Sequence, residues 1–117
     1  TELVLEAGDW RLNSVFSNIE VKVKTGNQAA YLDAYKQLTD STADSFGSYG
    51  INRVVYGNKY VSHMLYNGSN SIQELNNALD EVYASNEFKS FNRKVGNIRK
   101  LVNSTLAQLV KAYPAER

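Results

Sequence analysis

The chain has no cysteine, and only one each of proline, histidine, tryptophan and methionine. Without cysteine there is no disulfide, no thiolate metal site and no cysteine nucleophile. The compartment stays undetermined. No apolar run approaches the roughly 20 residues of a membrane-spanning helix, so no membrane partner is expected. An excess of one charge is also missing, since 13 Lys and Arg stand against 12 Asp and Glu. Little positive charge is therefore left over to neutralise phosphates, and nucleic acid is not expected as the main partner. Glycine-rich phosphate loops, Gly-x-Ser-x-Gly and His-x-x-x-His pairs are absent. The carboxylates Asp33, Asp40, Asp44 and Glu74 lack metal-ligand spacing, so no metal is expected. At 117 residues the chain is expected to be one domain, 1–117, with residues 1–14 as an N-terminal arm. An opening Thr1 leaves a processed secreted chain, a trimmed chain and a cut domain all open. Asn67-Gly-Ser and Asn103-Ser-Thr match a glycosylation tripeptide that is common by chance in an Asn-rich chain.

What the sequence has is a strong hairpin signal between Ile51 and Asn67. Val54, Val55, Tyr56, Tyr60 and Val61 suit a pleated surface, and Gly57-Asn58 suits a two-residue turn. With that turn, Val54 pairs with Val61 and Asn52 lies opposite His63. Asn52, Val54, Tyr56, Val61, His63 and Leu65 then share one face. Ile51, Arg53, Val55, Tyr60, Ser62, Met64 and Tyr66 share the other. Both faces are substantially apolar, which predicts a cover on each.

Ahead of the hairpin, Ile19, Val21 and Val23 alternate with Asn18, Glu20, Lys22 and Lys24, the period of a half-buried strand. Residues 1 to 9 are read as an arm that adds an edge strand or lies over the body. Thr25-Gly26-Asn27 breaks the strand, Asn27 suits a helix cap, and Tyr31, Ala34, Tyr35 and Leu38 predict a helix from Gln28 to Asp44. Beyond the hairpin, Ser71 and Glu74 form a capping box, and Leu75, Ala78, Leu79, Val82 and Tyr83 form a helical stripe. Ser85-Asn86 interrupts it. Phe88, Phe91, Val95, Ile98 and Leu101 resume the spacing. The period of Val102, Leu106, Leu109 and Tyr113 favours helix, whereas poor helix formers at 103–105 allow a strand from Thr105 to Tyr113.

Strand, helix, hairpin, helix and a final strand is the ferredoxin-like β-α-β-β-α-β plan. The expected fold is α+β, an antiparallel sheet with two helices on one face. An uncovered apolar sheet face marks a partner interface, and a second copy packed about a two-fold axis is the simplest cover. The strand ending at Tyr66, the capped helix from Ser71 and the Ser85-Asn86-Glu87-Phe88 break resemble the second half of the dimeric α/β-barrel superfamily. So does the run from Leu101 to Tyr113-Pro114. That superfamily includes antibiotic-biosynthesis-type and haem-degrading monooxygenases. The resemblance implies a homodimer and a final strand at the tail. It also implies one of three roles: a non-catalytic barrel binding a small apolar or aromatic ligand, a cofactor-independent monooxygenase, or a haem-handling protein.

His63 is the one candidate for a general base or haem ligand; the plainer reading is a strand histidine bonded to a neighbour such as Asn52. If its face turns away from the helices, Asn52, Tyr56 and His63 line the barrel interior and bind ligand. With the opposite parity, Arg53, Tyr60, Ser62 and Tyr66 line it, and Arg53 could pair with Glu20. Trp10 reads as an anchor for the arm, and Tyr31 and Tyr35 as packing. Lys89, Arg93, Lys94, Arg99 and Lys100 are a solvated face or a patch for a phosphate or an acidic partner.

Overall fold

In the computed structural model, which describes residues 2–42, 44–54 and 60–108, one antiparallel sheet carries its helices on one face. In chain order the elements are β1 (Glu2–Gly8), β2 (Val15–Val23), α1 (Gln28–Ser41), β3 (Ser48–Arg53), β4 (His63–Ser69), α2 (Ile72–Ala84), α3 (Asn86–Val95) and β5 (Arg99–Gln108). The sheet order is β1-β3-β4-β2-β5. Strands β2 to β5 with their helices make the ferredoxin-like plan, and the arm adds β1 at one edge.

The helices begin and end where side chains take over backbone bonds. Asn27 stands at the start of α1 without a side-chain cap bond; instead Gln28 Oε1 accepts from the Gly26 N–H at 3.1 Å. The helix stops at Ser41, short of Asp44, because the Ser41 and Thr42 hydroxyls both donate to the Leu38 carbonyl, at 2.8 and 2.9 Å. The capping box forms as read: Ser71 Oγ accepts from the Glu74 N–H at 3.1 Å and donates to Glu74 Oε2 at 3.2 Å. Ser85 splits the expected second helix in two. Its hydroxyl donates to the Val82 carbonyl at 2.5 Å and accepts from the Phe88 N–H at 3.1 Å. One serine thus ends α2 and caps α3, and three helices stand where two were expected.

The tail is a strand, against its helical period, and it starts early. Leu101, read into the helical stripe, lies in β5, which pairs with β2 from Val23↔Arg99 to Val15↔Gln108. A turn at residues 96–98 after α3 ends the helix, and a full strand ladder outweighs weak helix propensity. The expected stretch from Leu109 to Tyr113 lies outside the described residues.

The hairpin register differs from the expected one by a residue. Arg53, not Asn52, lies opposite His63, and Asn52 lies opposite Met64. A backbone bond from the Val54 N–H to the Ser62 carbonyl at 2.8 Å continues this pairing. A one-residue slip exchanges the faces of one strand relative to the other. The observed register sets Ile51 opposite Leu65, so both join Val21 and Val23 under the helices with Tyr31, Phe91 and Val95. The expected register would have put Ile51 on the opposite face from Leu65. The predicted Gly57-Asn58 turn lies outside the described residues.

The far end of the sheet is held by polar groups. The Ser48 hydroxyl donates to Asn13 Oδ1 at 2.6 Å, and Asn13 Nδ2 donates to Asn70 Oδ1 at 3.1 Å. Ser48 and Asn13 are buried and satisfy each other, as low-dielectric burial requires, and exposed Asn70 completes the chain.

Candidate ligand cavity

A cavity of about 510 Å³ lies between the helices and the sheet, a size typical of small-molecule sites. Helix α1 turns Tyr31, Tyr35 and Leu38 into it, the stripe that its helical spacing predicts. Helices α2 and α3 add Leu79, Val82, Tyr83, Phe88 and Phe91. The sheet floor is Ile19, Val21 and Leu65, with Leu101 and Ser104 from β5. Aromatic rings meet around it edge-on or tilted. Tyr31 and Phe91 are 5.9 Å apart, Tyr83 and Phe88 4.8 Å, and Phe88 and Phe91 6.1 Å. Few polar groups face in, chiefly Asn67, Thr39, Asn92 and Arg99.

The Tyr35 hydroxyl is buried and has no hydrogen-bond partner among the described residues. Burial pushes its pKa well above the ordinary value, and the neighbouring Tyr49 and Tyr31 add to this. It is therefore a proton-bearing phenol at any working pH. Burial likewise pushes Tyr31 up to about 12, while the positive charge of Arg99 pulls it the other way.

The sequence candidates do not gather at this cavity. His63 faces the helices but stands outside the cavity wall, buried with its ring 6.1 Å from that of Tyr31. Its Nδ1 lies 2.9 Å from Ser62 Oγ, and that hydroxyl oxygen accepts from the Val23 N–H at 2.7 Å. Burial and the charge of Arg53 lower the His63 pKa, so the ring is held neutral. A haem in this cavity would find no histidine among the described residues of the wall. Asn52 lies on the opposite sheet face, in a shallow groove with Leu3, Trp10, Phe16 and Tyr66. Arg53 and Tyr60 are exposed, and Tyr56 lies outside the described residues. Among the described residues no cluster of metal-ligating side chains forms, and no helix is long and apolar enough to cross a membrane.

The polar cavity residues that sequence reasoning missed include Arg99, Asn92 and Asn67. Arg99 was legible only as one of a run of basic residues. Its position in the wall depends on pairing with Val23, which no local pattern reports.

No family model and no curated protein matches the chain. Solved structures do match in shape. A NIPSNAP-family protein of unknown function from Agrobacterium tumefaciens superposes with a TM-score of 0.66 at 12% identity, over 92% of this chain and 98% of that one. This chain shares the ferredoxin-like α+β fold of such structures. A putative antibiotic biosynthesis monooxygenase from Nitrosomonas europaea gives a TM-score of 0.58 at 12% identity, over 84% and 92% of the two chains. A major regulator of staphylococcal pathogenesis gives 0.67 at 12%, over 94% of this chain and 67% of that one. At such identities the likeness concerns the ferredoxin-like fold.

Two expectations follow. Below the ordinary histidine value of about 6.5 the unfolded chain takes up a proton at His63 before the folded one does. Stability therefore falls as pH drops through and below that value. Urea midpoints measured from about pH 7 to about pH 5 should fall more steeply for the wild type than for His63→Gln; parallel curves would contradict a buried neutral ring. Tyr35→Phe removes a buried hydroxyl that makes no bond, so unfolding of the ligand-free chain should be unchanged or shifted up by about 1 kcal/mol. A loss of 2 kcal/mol or more, on the order of a broken buried bond, would mean that the hydroxyl has a partner.

Proposed function

We propose that the chain is a non-catalytic, homodimeric α/β-barrel protein that holds a small apolar or aromatic ligand between its helices and its sheet, without a cofactor. The observation that carries this reading is the cavity. Its wall is aromatic and aliphatic, and it has a few polar groups to orient a guest. Among the described residues the wall holds neither a carboxylate nor a histidine, which favours binding over general-base catalysis. The second reading, a cofactor-independent monooxygenase acting on an aromatic substrate, draws support from the Nitrosomonas neighbour's description. It would have to work with tyrosines alone as proton donors.

Dimerisation rests on the other sheet face. Leu3 and Trp10 are exposed there, 54% and 47%, in the same groove as Phe16 and Tyr66. An apolar face of this kind calls for a cover, and a second copy supplies it with the same patch.

Nile red, a neutral apolar dye, should bind the native wild type saturably with blue-shifted emission. Leu79→Trp, which adds bulk at the cavity wall, should weaken that binding several-fold while the chain stays folded. Absence of saturable binding would remove the ligand reading. Sedimentation equilibrium should give twice the 13.1 kDa of one chain; a monomer at micromolar concentration would remove the barrel.

A further inference from the structure

The cavity wall contains a single charged residue among those described, Arg99. It is the first residue of β5, half-buried, and stands opposite Val23. Its Nη2 donates to Asn92 Oδ1 at 2.9 Å, and Asn92 is itself part of the wall. This bond tethers the guanidinium to α3 and uses one of its five donors. Among the described residues no carboxylate forms an ion pair with it. A half-buried guanidinium beside apolar surface, oriented but without an anion, is an unfilled half of a pair. Its charge reaches the interior, since it opposes the effect of burial on the Tyr31 hydroxyl.

We propose that Arg99 binds the acidic group of the ligand, so that the cavity takes an aromatic or aliphatic body bearing a carboxylate. This rests on the ligand-binding reading above and names the class of ligand. The apolar interior cannot solvate an anion, which keeps the acid at the Arg99 end and sends the body inward toward Tyr35 and Leu38. A single planar fork matches the two oxygens of a carboxylate. A phosphate dianion would call for further cations in the wall, and the described wall has none.

The test compares 2-naphthoic acid with 2-naphthamide, which keep the same rings and differ in charge. Affinities are read by calorimetry and by displacement of Nile red. The acid should bind the wild type at least about tenfold more tightly than the amide, the scale of a charge-assisted bond, with the gap narrowing as salt rises. Arg99→Gln should abolish the gap, mainly through weaker binding of the acid. Asn92→Ala, which frees the fork, should narrow the gap. Should Arg99→Gln fail to give a native circular dichroism spectrum, the wild-type gap and Asn92→Ala decide. Equal binding of acid and amide overturns the assignment to Arg99 while leaving the cavity a ligand site. Tighter binding of 2-naphthyl phosphate than of the acid overturns the carboxylate class. Binding of neither ring compound, together with no saturable dye binding, overturns the ligand reading and this inference with it.

Discussion

The pairing of Ile51 with Leu65 is the constraint on which the rest depends. It selects the face of each central strand that meets the helices. Ile51 is fully buried, and Leu65 lies beside Val21 and Val23 in the same core. Burying two such side chains stabilises the fold by about 1.5–3 kcal/mol each. A slipped register would expose one of them and turn polar Asn52 inward without a partner. From this choice the two sides of the sheet acquire different work. Leu65 and Asn67 of β4 face the cavity, whereas Met64 and Tyr66 face the open side with Asn52 and Gly50. Gly50 is needed there, because a Cβ would come within 2.6 Å of the Tyr66 ring and 2.9 Å of the Leu5 carbonyl oxygen.

Local chemistry was legible wherever the signal is carried by neighbours in sequence. The alternation from Ile19 to Lys24, the Ser71–Glu74 box and the break at Ser85 each appear in the fold as read. The hairpin's strands were legible too, but their register was not. A two-residue turn fixes pairs whose numbers sum to one value, and the observed pairs, Ile51 with Leu65 and Arg53 with His63, belong to the next. Nothing within either strand reports that difference, because it is set by what the opposite helices cover. The tail shows the same limit. Val102 and Leu106 keep a helical period, yet β2 offers β5 a long ladder, and that offer is not local.

The site was the least legible part. Its wall draws on most of the helices and strands, so its residues are scattered at spacings that mean only helix or strand when taken alone. His63 drew attention through being the single histidine, and it proves to be packed between Tyr31 and the Ser62 hydroxyl. Ser62 also bonds to β2 through the Val23 N–H and the Val21 carbonyl. The pair therefore ties the start of β4 to β2 and keeps an uncharged ring in the core. Arg99 drew none, because a basic residue among other basic residues reads as surface.

The size of the cavity itself argues about its purpose. A sealed void of 510 Å³ would cost about 12 kcal/mol at the rate measured for emptied cores, as much as the whole stability of a typical domain. The chain avoids that penalty by leaving the cavity open on the β5 side, where Leu101 is 53% exposed and Tyr83 44%. The penalty then takes another form: apolar side chains that line a concave surface stay wet, and each would gain by being covered. Larger side chains at several wall positions, Leu79 and Val82 among them, would narrow the gap, and a sequence selected for stability alone would carry them. Keeping small and medium side chains around an aromatic rim, with an oriented guanidinium at its edge, is costly for the ligand-free fold. A ligand that covered those groups would recover the cost, since binding to the folded state alone stabilises it by an amount that grows with the logarithm of ligand excess over the dissociation constant.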